Sequence, residues 1–95
     1  MNRYAKGARL ERRAQHTLEA DGYIIIRSAG SHGLVDLVGF KGVEPALLIQ
    51  VKANISEAAA MKEVKRIRKQ FHEFAPICVE VWVYYDGVKA PYVYP

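Results

Sequence analysis

Two short aliphatic runs, Leu34-Val-Asp-Leu-Val-Gly-Phe40 and Ala46-Leu-Leu-Ile-Gln-Val-Lys52, constrain the fold of this chain more than any other feature. Each is bounded by Gly, Pro or charge and reads as a buried strand. Between them, Lys41-Gly-Val-Glu-Pro45 supplies Gly and Pro turn chemistry, so the pair is expected to fold back as an antiparallel hairpin. Into this apolar surrounding the sequence sets Asp36, Gln50 and Lys52. Alternation along a strand puts Gln50 and Lys52 on one face, Ile49 and Val51 on the other. A carboxylate, an amide and an ammonium beside a hydrophobic sheet are expensive to desolvate unless they pair or bind something. The hairpin is therefore the candidate site as well as the fold's centre.

The flanking segments punctuate clearly. Leu10, Ala14 and Leu18 recur every four residues and predict a helix from about residue 5 to residue 20, ended by Gly22. Glu11 lies at the edge of that stripe. It fits either a solvated rim residue paired with an arginine or a carboxylate aimed at the sheet. Tyr23 to Ser28 reads as a β-branched strand, with Arg27 closing it. It leads into Ser28-Ala-Gly-Ser-His-Gly33, which suits a plain connecting loop or a hydroxyl-lined approach to a phosphate. His32 is a polar surface group or a proton carrier.

Ser56 is a good N-cap and Glu57 a favourable first-turn anion for a second helix. Met61, Val64, Ile67 (or Arg68), Phe71 and Phe74 keep its apolar period, and Pro76 stops it. Its other face carries Lys62, Lys65, Arg66 and Lys69, either simply solvated or touching a polyanion. Gln70, near its end, is within reach of the sheet. Ile77 to Tyr85 is a long β-branched and aromatic strand, and Asp86-Gly87 predicts a two-residue hairpin turn. Residues 88 to 94 then return as a strand that Pro91 confines to the sheet edge. The order predicts an α/β domain spanning 1–95, with a mixed sheet of about five strands flanked by two helices.

Composition narrows the function classes. The formal charge is +4, and the basic residues crowd the start: Arg3, Lys6, Arg9, Arg12 and Arg13 accompany a single acid, Glu11. That distribution favours a polyanionic partner. Half of the residues are hydrophobic, which is globular rather than disordered composition. The lone Cys78 excludes an internal disulfide and suits a reducing interior. No apolar run approaches a membrane span and no signal-peptide core follows the basic start, so a soluble, cytoplasmic protein is expected.

The chemistry of these groups converges on phosphodiester hydrolysis. Mg²⁺ takes oxygen ligands, commonly one or two carboxylates completed by waters and phosphate oxygens. Asp36 and Glu11 supply carboxylates, and the Gln50 amide oxygen and Val51 carbonyl can complete the protein side. Lys52 would hold the attacking water or neutralise the pentavalent oxyanion, and Arg27 would fix a phosphate oxygen.

Asp36, with Gln50-Val-Lys52, resembles the Asp…(Asp/Glu)-X-Lys signature of the PD-(D/E)XK nuclease superfamily. Lys6-Gly-Ala-Arg-Leu-Glu-Arg12 and Arg27-Ser-Ala-Gly-Ser31 are similar to the N-terminal motifs of archaeal-type Holliday-junction resolvases. The likeness covers most of the chain and weakens after about Ser56. It implies a restriction-endonuclease-like core and a homodimer that grips a four-way DNA junction and makes paired, Mg²⁺-dependent nicks, with Mn²⁺ as a possible substitute. It also implies metal-site positions at Glu11, Asp36 and Gln50, a catalytic Lys52, and Arg27 and Ser31 acting near the phosphate. The DNA-facing set expected from charge, loop and motif together is Arg3, Lys6, Arg9, Arg12, Arg13, Arg27, Ser28, Ser31 and His32.

Two departures from the pattern stand out. Val35 replaces the usual Pro, and either suits a strand entry. Gln50 replaces the usual acid, which removes one negative charge from the metal site. The sequence therefore leaves three readings: a four-way-junction endonuclease, a related nuclease for other branched or flapped DNA, or a junction-binding module that no longer cuts. The aromatic residues Phe71, Phe74, Trp82, Tyr84, Tyr85, Tyr92 and Tyr94 are divided between core and a dimer surface.

Overall fold

The computed structural model describes residues 3–28, 35–71 and 76–95, with side chains from residue 6 onward. Helix α1 (Arg3–Ala20) is followed by β1 (Ile24–Arg27), β2 (Leu37–Phe40), β3 (Ala46–Ala53), α2 (Glu57–Phe71), β4 (Ile77–Tyr84) and β5 (Tyr92–Tyr94). The five strands form one sheet in sequence order. β1, β2 and β3 pair antiparallel in turn, β3 and β4 pair parallel, and β4 and β5 pair antiparallel. The expected mixed sheet with two helices is what forms. Its single parallel pair is joined through α2, as a parallel connection of this length requires.

Burial explains the central run. α1 packs on β1, β2 and β3, whereas α2 packs on β4 and β5. Leu47 and Ile49 enter the α1 core with Leu10, Ala14, Leu18, Leu37, Trp82 and Tyr84. Leu48 enters the α2 core with Ala60, Val64, Ile67, Val79, Val81 and Val83. A strand covered on both faces reads as a continuous apolar run rather than an alternating one. That is why Leu47, Leu48, Ile49 and Gln50 are all buried in sequence.

Helix ends follow their chemistry. The Gly22 N–H donates to the Glu19 carbonyl and the Tyr23 N–H to the Leu18 carbonyl, each at 3.0 Å. This is a Schellman ending, and Gly22 takes the left-handed φ of 95° that it needs. Ser56 caps α2 as expected: its Oγ accepts from the Ala59 N–H at 3.1 Å. Ala60, Val64 and Ile67 form the buried stripe, while Gln70 is exposed rather than turned to the sheet. Phe74 lies outside the described residues.

Two strand limits differ from expectation. β2 begins at Leu37, so Asp36 sits in a bend just before the strand. The return strand is also shorter: the Asp86-Gly87 turn forms, with Val88 N–H donating to the Tyr85 carbonyl at 3.1 Å, but pairing resumes only at Tyr92. Pro91 immediately precedes it and has no N–H to give the ladder. Trp82 and Tyr84 are core, Phe71, Tyr85 and Tyr94 pack against the α2 cluster, and Tyr92 is exposed. Among the described residues, no helix is long and apolar enough to cross a membrane.

Candidate active site

The site forms where β2 parts from β3. The Asp36 N–H still donates to the Ile49 carbonyl at 2.9 Å, the last rung of that ladder. One step further along β3, the Val51 N–H donates instead to the Asp36 carboxylate, Oδ2, at 2.8 Å. The carboxylate thus takes over a backbone donor as the strands separate, which fixes its orientation. A side chain doing this favours the bend over a continued strand.

The other groups arrive from both sides. Glu11 comes from α1, half-buried, and forms a loose ion pair with Arg27 of β1 at 3.8 Å. Lys52 comes from β3 on the same face as Leu48, towards α2. There it lines a hollow of about 280 Å³ with Lys62, Glu63 and Arg66. Arg66 is held by Glu63 at 2.6 Å. Gln50 is buried, only 5% exposed. The strand register carries it opposite Asp36, one step beyond the terminal pair of Leu37 with Ile49.

Electrostatics link these groups into one centre. Burial raises the Glu11 carboxyl above its ordinary range, the negative Asp36 raises it further, and Arg27 opposes both. Burial likewise raises Asp36, against the hydrogen bond from Val51 and the attraction of Lys52. The Asp36 charge is thus felt at Glu11, which places the two carboxylates in one electrostatic neighbourhood. A hard divalent ion fits this set: two carboxylates, with the Gln50 amide and Val51 carbonyl as neutral oxygens, and the rest of the shell from water and phosphate. Among the described residues, no group of three or more His, Cys, Asp or Glu side chains is placed to hold a metal ion.

The profile of the archaeal Holliday junction resolvases (Hjc) matches residues 2–76. The chain belongs to this family. The match runs past Ser56 and through α2, further than the motifs alone reach. The fold is also similar to that of Hjc from Archaeoglobus fulgidus, a Holliday junction resolvase from an archaeal hyperthermophile. The TM-score is 0.66 at 24% identity, covering 95% of this chain and 72% of that one. Family membership makes the chain a DNA-processing nuclease.

The structure brings Glu11, Arg27, Asp36, Val51 and Lys52 together, with Gln50 buried beside them. Ser28 is exposed and adjoins the site through its backbone, its N–H donating to the Asp36 carbonyl at 2.9 Å. Ser31 and His32 lie outside the described residues, as does the side chain of Arg3. The remaining basic residues of α1 divide. Arg12 is exposed, whereas Lys6, Arg9 and Arg13 line a separate hollow against the turn after β4. The sequence reads these cations as one patch and Tyr84 only as core or dimer surface, and it gives no role to Asn54, which holds the Asp86 wall of that hollow.

Gln50 offers a direct test. Gln50→Glu restores a third charge, and its buried carboxylate is destabilising without a counter-ion. We expect a lower Tm in chelator, recovery in Mg²⁺, and a half-saturating Mg²⁺ concentration about tenfold lower. A Tm insensitive to Mg²⁺ in that variant would remove Gln50 from the metal site.

Proposed function

We propose that the chain is a metal-dependent, structure-selective endodeoxyribonuclease that resolves four-way DNA junctions by paired symmetric nicks, as a homodimer, in recombination and repair. The observation that carries the reading is the convergence of Glu11, Asp36 and Lys52 on one end of the sheet, from its two faces and its edge. Mg²⁺, or Mn²⁺ in its place, supplies charge neutralisation at the scissile phosphate and a more acidic water when bound. Glu11, Asp36, Gln50 and Val51 would hold it. The Lys52 ammonium donates to a non-bridging phosphate oxygen as negative charge develops there. Arg27, anchored by Glu11, keeps further guanidinium N–H donors for a neighbouring phosphate oxygen. Junction shape is read through backbone charge, not through bases.

Symmetry and an uncovered face support the dimer. Two symmetric nicks need two sites related by a two-fold axis. Ile25 packs towards α1, so Ile24 and Ile26 point to the other face. α2 lies over β4 and β5, leaving Ile24 71%, Ile26 57% and Phe40 44% exposed on the open half of the sheet. We assign this patch to the partner protomer. Ile26→Lys should retain its circular dichroism spectrum, scatter light as a monomer and lose the coupling of the two nicks. A dimeric Ile26→Lys would move the interface elsewhere.

The function itself is tested by cleavage of a synthetic four-way junction in Mg²⁺, Ca²⁺ and chelator, beside linear and flapped duplexes. Symmetric nicks confined to Mg²⁺, much faster on the junction, are the expected result. Equal rates on flapped DNA would mean a broader branched-DNA nuclease. Binding without nicking in Mg²⁺ and Mn²⁺ would mean a junction-binding module, a reading favoured only by the neutral amide at Gln50.

A further inference from the structure

Tyr84 ends β4 on the α1 side of the sheet and is 4% exposed. Its hydroxyl is buried and makes no hydrogen bond among the described residues. Burying a hydroxyl without a partner is unfavourable, and such groups are rare enough in folded proteins to need a reason. Around it the structure builds a hollow of about 210 Å³, lined by Lys6, Arg9 and Arg13 of α1 and by the turn at Asp86. Three cations face one carboxylate there.

The wall opposite α1 is fixed. Asn54, with a left-handed φ of 54°, holds the turn through two bonds. Its Nδ2 donates to Asp86 Oδ1 at 3.2 Å, and the Asp86 N–H donates to its Oδ1 at 3.0 Å. Asp86 is drawn towards Lys6 at 3.7 Å. The Arg13 guanidinium lies over the Tyr84 ring, 4.7 Å from its centroid, and donates to the Lys89 carbonyl at 2.7 Å. That leaves other N–H donors of its fork for an incoming anion. Arg13 is exposed, so its side chain can move on a fast timescale and open the hollow beside Tyr84.

We propose that this hollow is a phosphate subsite, in which Tyr84 and Arg13 bind one backbone phosphate of the DNA beside the cleaved position. The inference rests on the junction-nuclease reading for the identity of its ligand. Ala53 pairs with Tyr84 across the parallel ladder, so the subsite opens at the same end of the sheet as Asp36 and Lys52. It stands two strands over from Asp36, roughly 10 Å across the sheet. A nuclease that recognises shape needs a second fixed phosphate near the reacting one, since one contact sets no direction for the strand. The loss of the Tyr84 hydrogen bond in the free protein is then the counterpart of a bond made on DNA.

Tyr84→Phe separates this from a structural role, because it removes a hydroxyl that supports nothing in the free fold. Two measurements decide it: Tm with and without inorganic phosphate, and affinity for a four-way junction in Ca²⁺. We expect Tyr84→Phe to keep or raise the Tm of the free protein, to lose the phosphate-induced rise, and to bind the junction about three- to tenfold more weakly. Asp86→Asn keeps the acceptor that Asn54 uses and frees Lys6, so it should bind both probes more tightly. Unchanged junction affinity in Tyr84→Phe, or a Tm that falls with it, would overturn the subsite. If wild-type protein ignores the junction but phosphate still raises its Tm and not that of Tyr84→Phe, the anion subsite stands and the junction reading fails.

Discussion

Lys52→Ala is expected to lower the single-turnover rate of four-way-junction cleavage by at least about 10²- to 10³-fold, the usual effect of removing one donor to a developing oxyanion. Junction affinity stays within about twofold, because most of the binding comes from charges spread along the backbone contacts. The separation follows from where the structure puts the ammonium. Lys52 emerges from β3 two residues beyond Gln50, attracted by Asp36 and clear of the ion pairs that occupy Lys6 and Arg66. An ammonium held by the sheet beside a carboxylate is preorganised for charge that appears only during reaction. Rates measured at saturating protein, with gel-shift affinities in Ca²⁺, check both halves. A Lys52→Ala protein that cuts at wild-type rate would place the catalytic cation elsewhere, with Arg27 the next to test.

How far the sequence alone reached depends on the range of the interaction. The β2–β3 hairpin, the Schellman ending at Gly22 and the Ser56 cap were legible because their signals are local: a turn, a left-handed glycine, a hydroxyl three residues before the N–H it accepts from. Gln50 and Lys52 were legible on one face from strand alternation, and Asp36 as their neighbour from the hairpin that joins the two strands. The reading of Val35 and Asp36 as strand was wrong by a competition that no window of residues displays, between a ladder rung and the Asp36 carboxylate for the Val51 N–H. The overlong return strand failed similarly, since Pro91 delays pairing until Tyr92. The division of the α1 cations was out of reach altogether. Arg13 meets Lys89 across 76 residues, and Lys6 meets Asp86, so helix periodicity could not tell them from Arg12. Gln50 shows the converse case. Its departure from the acidic pattern was visible at once, but its near-complete burial was not.

Asp36→Asn should be inactive and more stable. The amide keeps an oxygen that can accept from the Val51 N–H, so the bend at the start of β2 survives. It removes a carboxylate whose charge is penalised chiefly by burial and which also pushes up the Glu11 carboxyl. With the anion gone, the site keeps one carboxylate for a divalent ion, and cleavage should fall by at least about 10³-fold. The Tm at neutral pH should rise by a few degrees in chelator. Its pH dependence has a definite sign. A carboxyl raised in the folded state binds its proton more tightly there than in the unfolded chain. The stabilisation from that proton is complete below the ordinary Asp value of 3.8 and is lost as pH climbs through the raised value. The advantage of Asp36→Asn over wild type is therefore largest at neutral pH and shrinks on acidification, as the wild-type carboxyl takes up its proton. Mg²⁺ should reverse the order at neutral pH, since the ion stabilises wild type by binding the charges that the variant lacks. Thermal melts of both proteins from acid to neutral pH, with and without Mg²⁺, measure all of this. A variant less stable than wild type in chelator would mean that the Asp36 charge serves the fold itself, and that the two carboxylates are no strained pair awaiting a cation.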